Sequence, residues 1–391
     1  MRNITTIALA VITCITATSS MATKTQKETY SIDENSLMVP NAEHVYSNSF
    51  ETPPGTEWSR SDTNSTPNKK HTFLGDFGPE TVQLKLQDLP THRLLHLTFD
   101  LYLILTWDGS ENWGPDVWSL DMGKDRRLIN STFNNCGFFS SNNTQTFPDW
   151  HPSSILYEGW TGATEKQSLG YISIWGKSKR TFTTDSVYHF DLLIPHSDSN
   201  LVFNFTSHCE DDKQDQSWGL DNVIIEAIPT PIALPKDGHR PLWQSLGGND
   251  GMAAYRSMRV LVAAENEGVE FIKSHTDLGN GTAEKLLPLI EKLNAPSYAD
   301  REQATQELIR LARPYHTFIA KMKEELNEPE TSLRLTKVLS AITTGNAIAA
   351  QHLRQERVLH VMEAIGTAAS KSLAEDLTAN RRVLNWPVAP E

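Results

Sequence analysis

The sequence predicts a multidomain β + α fold: an N-terminal β-sandwich of the jelly-roll kind, then a C-terminal α-helical domain. Three observations carry this expectation. Up to residue 228, apolar and polar residues alternate in short runs separated by clusters of Asn, Asp, Gly, Pro and Ser, the pattern of strands joined by turns. Beyond residue 242, apolar residues recur at the three- and four-residue spacing of helices with one buried face. Composition breaks at the same place. Residues 1–240 carry 18 Lys/Arg and 29 Asp/Glu, residues 241–391 carry 17 and 19, and eight of the ten Trp lie in the first part.

In chain order, residues 1–22 read as a secretory signal peptide cut near Ala22. Arg2 gives a positive start, Ile7 to Ile15 an apolar run, and Ser20 and Ala22 the small residues of a cleavage site. That run is shorter than the ~20 residues that span a bilayer. No later stretch reaches that length, so no transmembrane segment is expected after signal removal, and the expected location is secreted, periplasmic or cell-surface. Residues 23–45 are polar and aperiodic and read as a flexible spacer.

The sandwich is expected over 46–228. Val82–Leu86 and Leu95–Leu103 alternate cleanly, one face dry and one wet. Further strands are expected at Val117–Met122, Leu169–Ile174, Val187–Ile194, Leu201–Phe205 and Val223–Ala227. Pro229, Pro231, Pro235 and Pro241 mark 229–241 as a stiff linker. Over 242–380, helices are expected at Ala283–Leu293, Asp300–Arg313, Leu333–Ile342 and Val358–Ile365, parted by Pro, Gly or Asn. Brief connections make successive helices antiparallel.

At 391 residues the chain is long enough for two cores. A net charge of −13 opposes binding to nucleic acid, which calls for a basic footprint. Only Cys136 and Cys209 remain once Cys14 leaves with the signal. A disulfide between them and a pair of buried thiols both remain open, because spacing does not fix bond geometry.

Three stretches carry a resemblance: His71-Thr72-Phe73-Leu74-Gly75-Asp76-Phe77-Gly78, the run from Phe99-Asp100 through Trp107-Asp108-Gly109 to Val117-Trp118, and Trp218-Gly219-Leu220-Asp221-Asn222-Val223. Together they resemble an uncharacterised secreted bacterial β-sandwich domain, similar to concanavalin-like and MAM-type jelly rolls that bind sugars or proteins. The likeness covers about residues 45–228. It implies a divalent cation, Ca²⁺, held by an acidic residue near the first strand and an Asp before the last; Glu51 and Asp221 occupy those positions. The plainer alternative leaves Asp221 capping a turn and Glu51 in solvent. Arg301 to Leu308, with Leu311 and Pro314, and the opening Leu242-Trp243 resemble HEAT-like helical repeats, which stack to bury a shared core and leave a broad contact surface.

Two further groups stand out as ligand-binding candidates. Trp107, Asp108, Trp113 and Asp116, with Glu111, share one loop between strands. Indole faces suit stacking on sugar rings, and loops on a rigid scaffold collect binding residues. Trp118, Trp150, Trp160 and Trp175 extend the aromatic supply, although most Trp residues serve cores. The acidic run Glu210-Asp211-Asp212 with Asp215 lacks the Gly and Glu of an EF-hand and reads as a solvated loop. No nucleophile elbow, HExxH, P-loop or GxGxxG occurs. The expectation is therefore a non-enzymatic exported binding or adhesion protein that recognises a glycan or a protein surface, with the helical domain making protein contacts. A polysaccharide hydrolase and a structural envelope component are the alternatives.

Overall fold

The computed structural model describes residues 41–383 except 111–113, 137–142, 176–178, 210–212, 231, 235–238, 277–285, 313–315, 327 and 343–344. The signal peptide, most of the spacer, Trp113, Glu111 and the run 210–212 lie outside the described residues.

The larger sheet has seven antiparallel strands: β1 (Glu43–Asn48), β2 (Thr63–Ser65), β3 (Thr72–Phe77), β5 (Leu94–Leu105), β10 (Glu165–Lys166), β13 (Asp185–Pro195) and β15 (Gln216–Ile228). Their order is β10-β13-β5-β15-β3-β2, and β1 pairs with the far half of β15. The smaller sheet runs β4-β14-β6-β7, built from β4 (Thr81–Leu86), β6 (Val117–Met122), β7 (Arg126–Thr132) and β14 (Leu201–Ser207). Two short pairs complete the strands among the described residues: β8 (Thr144–Gln145) with β9 (Tyr157–Glu158), and β11 (Ile172–Trp175) with β12 (Arg180–Thr183).

Alternation decides which side chains go inside. Leu95, Leu97, Phe99, Leu101 and Leu103 of β5 all have zero exposure and meet Val82, Trp118, Phe203 and Phe205 of the opposite sheet in one cluster. Aromatic rings join the layers: Phe99 lies 5.6 Å edge-on from Phe205, and Trp118 6.0 Å from both Phe190 and Trp218. Each large ring removes much apolar area from water, at about 25 cal/mol per Å².

The helices are α1 (His239–Leu246), α2 (Gly251–Ala263), α3 (Asn266–His275), α4 (Leu287–Lys292), α5 (Tyr298–Leu311), α6 (His316–Glu325), α7 (Pro329–Ile342), α8 (Gly345–Ile365) and α9 (Ala368–Val383). Asp250 caps α2 by accepting from Ala253 N at 3.0 Å. One apolar cluster joins α1–α3 with α8 and α9, and a second joins α4–α7. A smaller cluster mixes Leu94, Leu193 and Ile228 with Ala263, so α2 sits directly on the sandwich. Helix α1 begins inside the stretch read as linker, and β1 begins inside the stretch read as spacer.

Beside that contact, Arg357 of α8 is fully buried against the sandwich. Its Nε and Nη2 donate to Asp149 Oδ1 and Oδ2 at 2.7 and 2.8 Å, and Nη2 also donates to Tyr157 Oη at 2.7 Å. Its Nη1 donates to the carbonyls of Leu246 and Gly248 at 3.0 and 2.7 Å, which α1 leaves without helical partners at its end. Arg126 of β7 does the same for α8, donating through Nε to Ala364 O at 2.8 Å.

Candidate functional site

The outer face of the larger sheet is polar at its middle. Along β5 the outward residues are His96, Thr98, Asp100 and Tyr102, set against the apolar inner row. Across the ladder Asp100 pairs with His189 of β13 on one side and Asp221 of β15 on the other. Register shifts between Asp221 and Ile224, so that two residues of β15 oppose one of β5, a β-bulge. Asn222 takes φ 50° there, a left-handed conformation that Asn tolerates better than most residues. The bulge sends two successive polar side chains outward while Val223 returns to the core at zero exposure.

Asn222 Nδ2 donates to Asp100 Oδ2 at 2.8 Å, and His189 Nδ1 lies 2.7 Å from Asp100 Oδ1. Tyr102 Oη donates to Asp221 Oδ2 at 2.8 Å, and Asn222 N donates to Asp221 Oδ1 at 2.8 Å. His71 Nδ1 approaches Asp221 Oδ2 at 4.0 Å. One row along, His96 bridges Glu226 and Asp191 at 2.9 and 3.0 Å. Arg259 of α2 pairs with Asp191 at 2.8 Å. The His189 and His71 side chains are 47% and 39% exposed, so the middle of the strip faces solvent, while Asp221 is buried.

Proton affinities diverge along the strip. Burial, reinforced by the charge of Asp100, pushes Asp221 up to about 6, against the hydrogen bonds from Tyr102 and Asn222 N. The hydrogen bond to Asp100 raises His189. Burial acts to lower His96, but its bonds to Asp191 and Glu226 outweigh it and raise the ring. Asp191 is held low despite its burial by His96 and Arg259.

The residues singled out from sequence fall in several places. Asp221 is in the strip. Glu51 is exposed beyond β1, and both oxygens of Asp221 already accept hydrogen bonds. No group of three or more His, Cys, Asp or Glu among the described residues is placed to hold a metal ion. Ca²⁺ takes six to eight oxygens, so these two carboxylates as placed do not make its cage.

The loop group is structural where it is described. Trp107 has zero exposure and its indole donates to Ser217 O at 2.9 Å. It is a core residue and presents no face to a sugar, a correction to the ligand-binding reading. Asp116 is 2% exposed and accepts from Asp108 N, while Asn134 Nδ2 donates to Asp108 O at 2.6 Å. These bonds fold the loop on itself, and burial pushes Asp116 up to about 7. Trp150 stacks on His360 of α8 with ring centres 4.5 Å apart, serving the contact between the two halves. Cys136 and Cys209 are both buried and are not bridged, so the disulfide reading gives way to that of two buried thiols. Burial, with Asp108, Asp116 and Asp215 nearby, raises the Cys136 thiol.

Asp100, Asn222, Tyr102, His71 and His189 went unnoticed as site residues. The usable signal was the doublet Asp221-Asn222, two polar residues side by side where strict alternation allows one. Searches against protein-family models and curated proteins find no match to this chain.

Proposed function

We propose that the chain is an exported, non-enzymatic binding protein whose sandwich recognises a glycan along the outer strip of its larger sheet. The observation that carries this reading is the Asp221-Asn222 bulge set against Asp100. It sets the partly exposed carboxylate of Asp100, an amide and two half-exposed imidazoles at one open place, above the buried Asp221. Vicinal sugar hydroxyls need such paired acceptors and donors, and Ile224, 39% exposed in the adjoining row, offers an apolar contact for a ring face. Export rests on residues 1–22. The helical half supplies protein contacts in the manner of HEAT-like repeats. On this reading Tyr298 of α5 and Leu333 of α7, 66% and 67% exposed, are side chains open to such contacts.

A glycan array tests the reading. Wild type should bind a defined set of glycans, and Asp100→Asn and Asp221→Asn should each weaken binding at least tenfold. Unchanged binding by both variants, or no glycan bound at all, overturns it. Loss of signal with chelator would make recognition Ca²⁺-dependent, and retention would remove Ca²⁺ from it.

One observation favours a polysaccharide hydrolase as second reading. Asp221, pushed up to about 6, keeps its proton to a higher pH than an ordinary Asp and stands across the ladder from a second acidic residue, Asp100; glycoside cleavage uses such a pair of carboxyl groups. Release of reducing sugar that disappears in Asp221→Asn would select it over simple binding.

A further inference from the structure

Between β7, β13, α2 and α8 lies a cavity of about 50 Å³. Leu128, Leu193, Met258 and Val262 give it apolar walls. Three other lining residues carry buried polar atoms with no partner among the described residues: the Tyr255 hydroxyl, Arg259 Nε and His360 Nδ1. Buried polar atoms without partners are rare in folded proteins, because each costs about 1–3 kcal/mol.

The three side chains are held in place by other contacts. The Tyr255 ring packs against Phe147 at 5.6 Å and under the Arg259 guanidinium at 5.7 Å. His360 lies flat on Trp150. Charge at the cavity is balanced, since Arg259 is matched by Asp191 at 2.8 Å and burial holds His360 neutral. An ionic occupant would have no counter-charge here. The unpartnered set is a phenolic hydroxyl, one guanidinium N–H donor and one imidazole nitrogen. An alcohol hydroxyl complements it, accepting two hydrogen bonds and donating one.

We propose that this cavity binds a small uncharged alcohol, its carbon chain against Leu193, Met258 and Val262 and its hydroxyl held by Tyr255, Arg259 and His360. Benzene, with six carbons, fills an engineered cavity of about 150 Å³, so an occupant of roughly a third that volume has one or two carbons beside its hydroxyl.

The test is a titration of the full-length protein, labelled at methionine methyls, with methanol and with ethanol. The Met258 methyl should shift saturably at millimolar alcohol. Tyr255→Phe should weaken the apparent affinity about tenfold, as one lost hydrogen bond of ~1.4 kcal/mol predicts. Val262→Phe, which fills the cavity without touching the polar atoms, should abolish saturation. A shift linear in alcohol concentration, equal affinity in Tyr255→Phe, or a resident water whose contact to Met258 persists at all alcohol concentrations overturns the proposal.

Discussion

Arg357 and Asp149 meet in a two-pronged ion pair shut off from solvent, 208 residues apart in sequence. Taking either charge out of water is costly, so the pair depends on complete satisfaction of both partners. Tyr157 and the end of α1 supply the rest. Arg357→Ala leaves the Asp149 carboxylate buried alone and should lower unfolding free energy by about 3–5 kcal/mol, read from urea midpoints. The double variant with Asp149→Ala should cost less than the two single losses added together. A loss below about 1 kcal/mol for Arg357→Ala would refute the assignment.

The hydrogen bond between His189 and Asp100 sets a second expectation. Since that bond raises His189, Asp100→Asn should drop its titration midpoint back towards about 6.5. Ring-proton NMR across pH 5–8 reads it directly. An unmoved midpoint would mean that Asp100 is not the partner in solution.

Asp221 predicts a pH dependence of stability. An unfolded Asp releases its proton near ~3.9, whereas folded Asp221 keeps it to about 6. Between these values the folded state holds a proton the unfolded state has lost, so stability falls as pH rises through the window. The loss amounts to up to about 3 kcal/mol, since one pKa unit corresponds to ~1.4 kcal/mol. Asp221→Asn should remove this slope, gaining on wild type at pH 7 and matching it near pH 3.5. His96 and His189, both raised, add stability that is full below about pH 6.5 and lost at higher pH, outside the Asp221 window; parallel slopes between about pH 4 and 6 in variant and wild type would refute the assignment to Asp221.

Gly109 takes φ +85°, and a Cβ there would meet Thr144 O at 2.0 Å. Neither backbone can yield cheaply, because the Asp108–Asp116 loop is tied on both sides. Gly109→Ala should cost several kcal/mol and lower the melting temperature by more than about 5 °C. A neutral effect would show that the loop is looser than its hydrogen bonds imply.

The thiols of Cys136 and Cys209 should resist a thiol-specific reagent in the native protein and react in denaturant. Burial removes access, and the raised Cys136 thiol has little thiolate to offer. Rapid labelling of Cys136 in native protein would contradict this placement.

How far the sequence could be read depended on the length of each pattern. Val117–Met122 was found to the residue, and the Leu95–Leu103 alternation marks the heart of β5, because a strand with one dry face writes a period of two. Strand β7 was missed: Arg126, Arg127 and Asn130 break its alternation, since they serve hydrogen bonds to α8, Asp121 and His151. Helix α8 showed only its last third, because it is packed on two sides and carries no single apolar stripe. Helices α3 and α6 are too short for their few apolar residues to establish a period. In the strip, Asp221 could be singled out, but Asp100 and His189 become neighbours only through strand register, which no local spacing reports.

The pairing of Asp149 with Arg357 also orders events in time. As the nascent chain emerges, Asp149 and Tyr157 leave the ribosome 208 and 200 residues ahead of their cation. Until α8 arrives, the flank formed by Leu128 of β7 and Trp150 of the β8–β9 connection stays open to water and to other chains. Translation that stops before residue 357 leaves this flank uncovered and the Asp149 carboxylate without its cation.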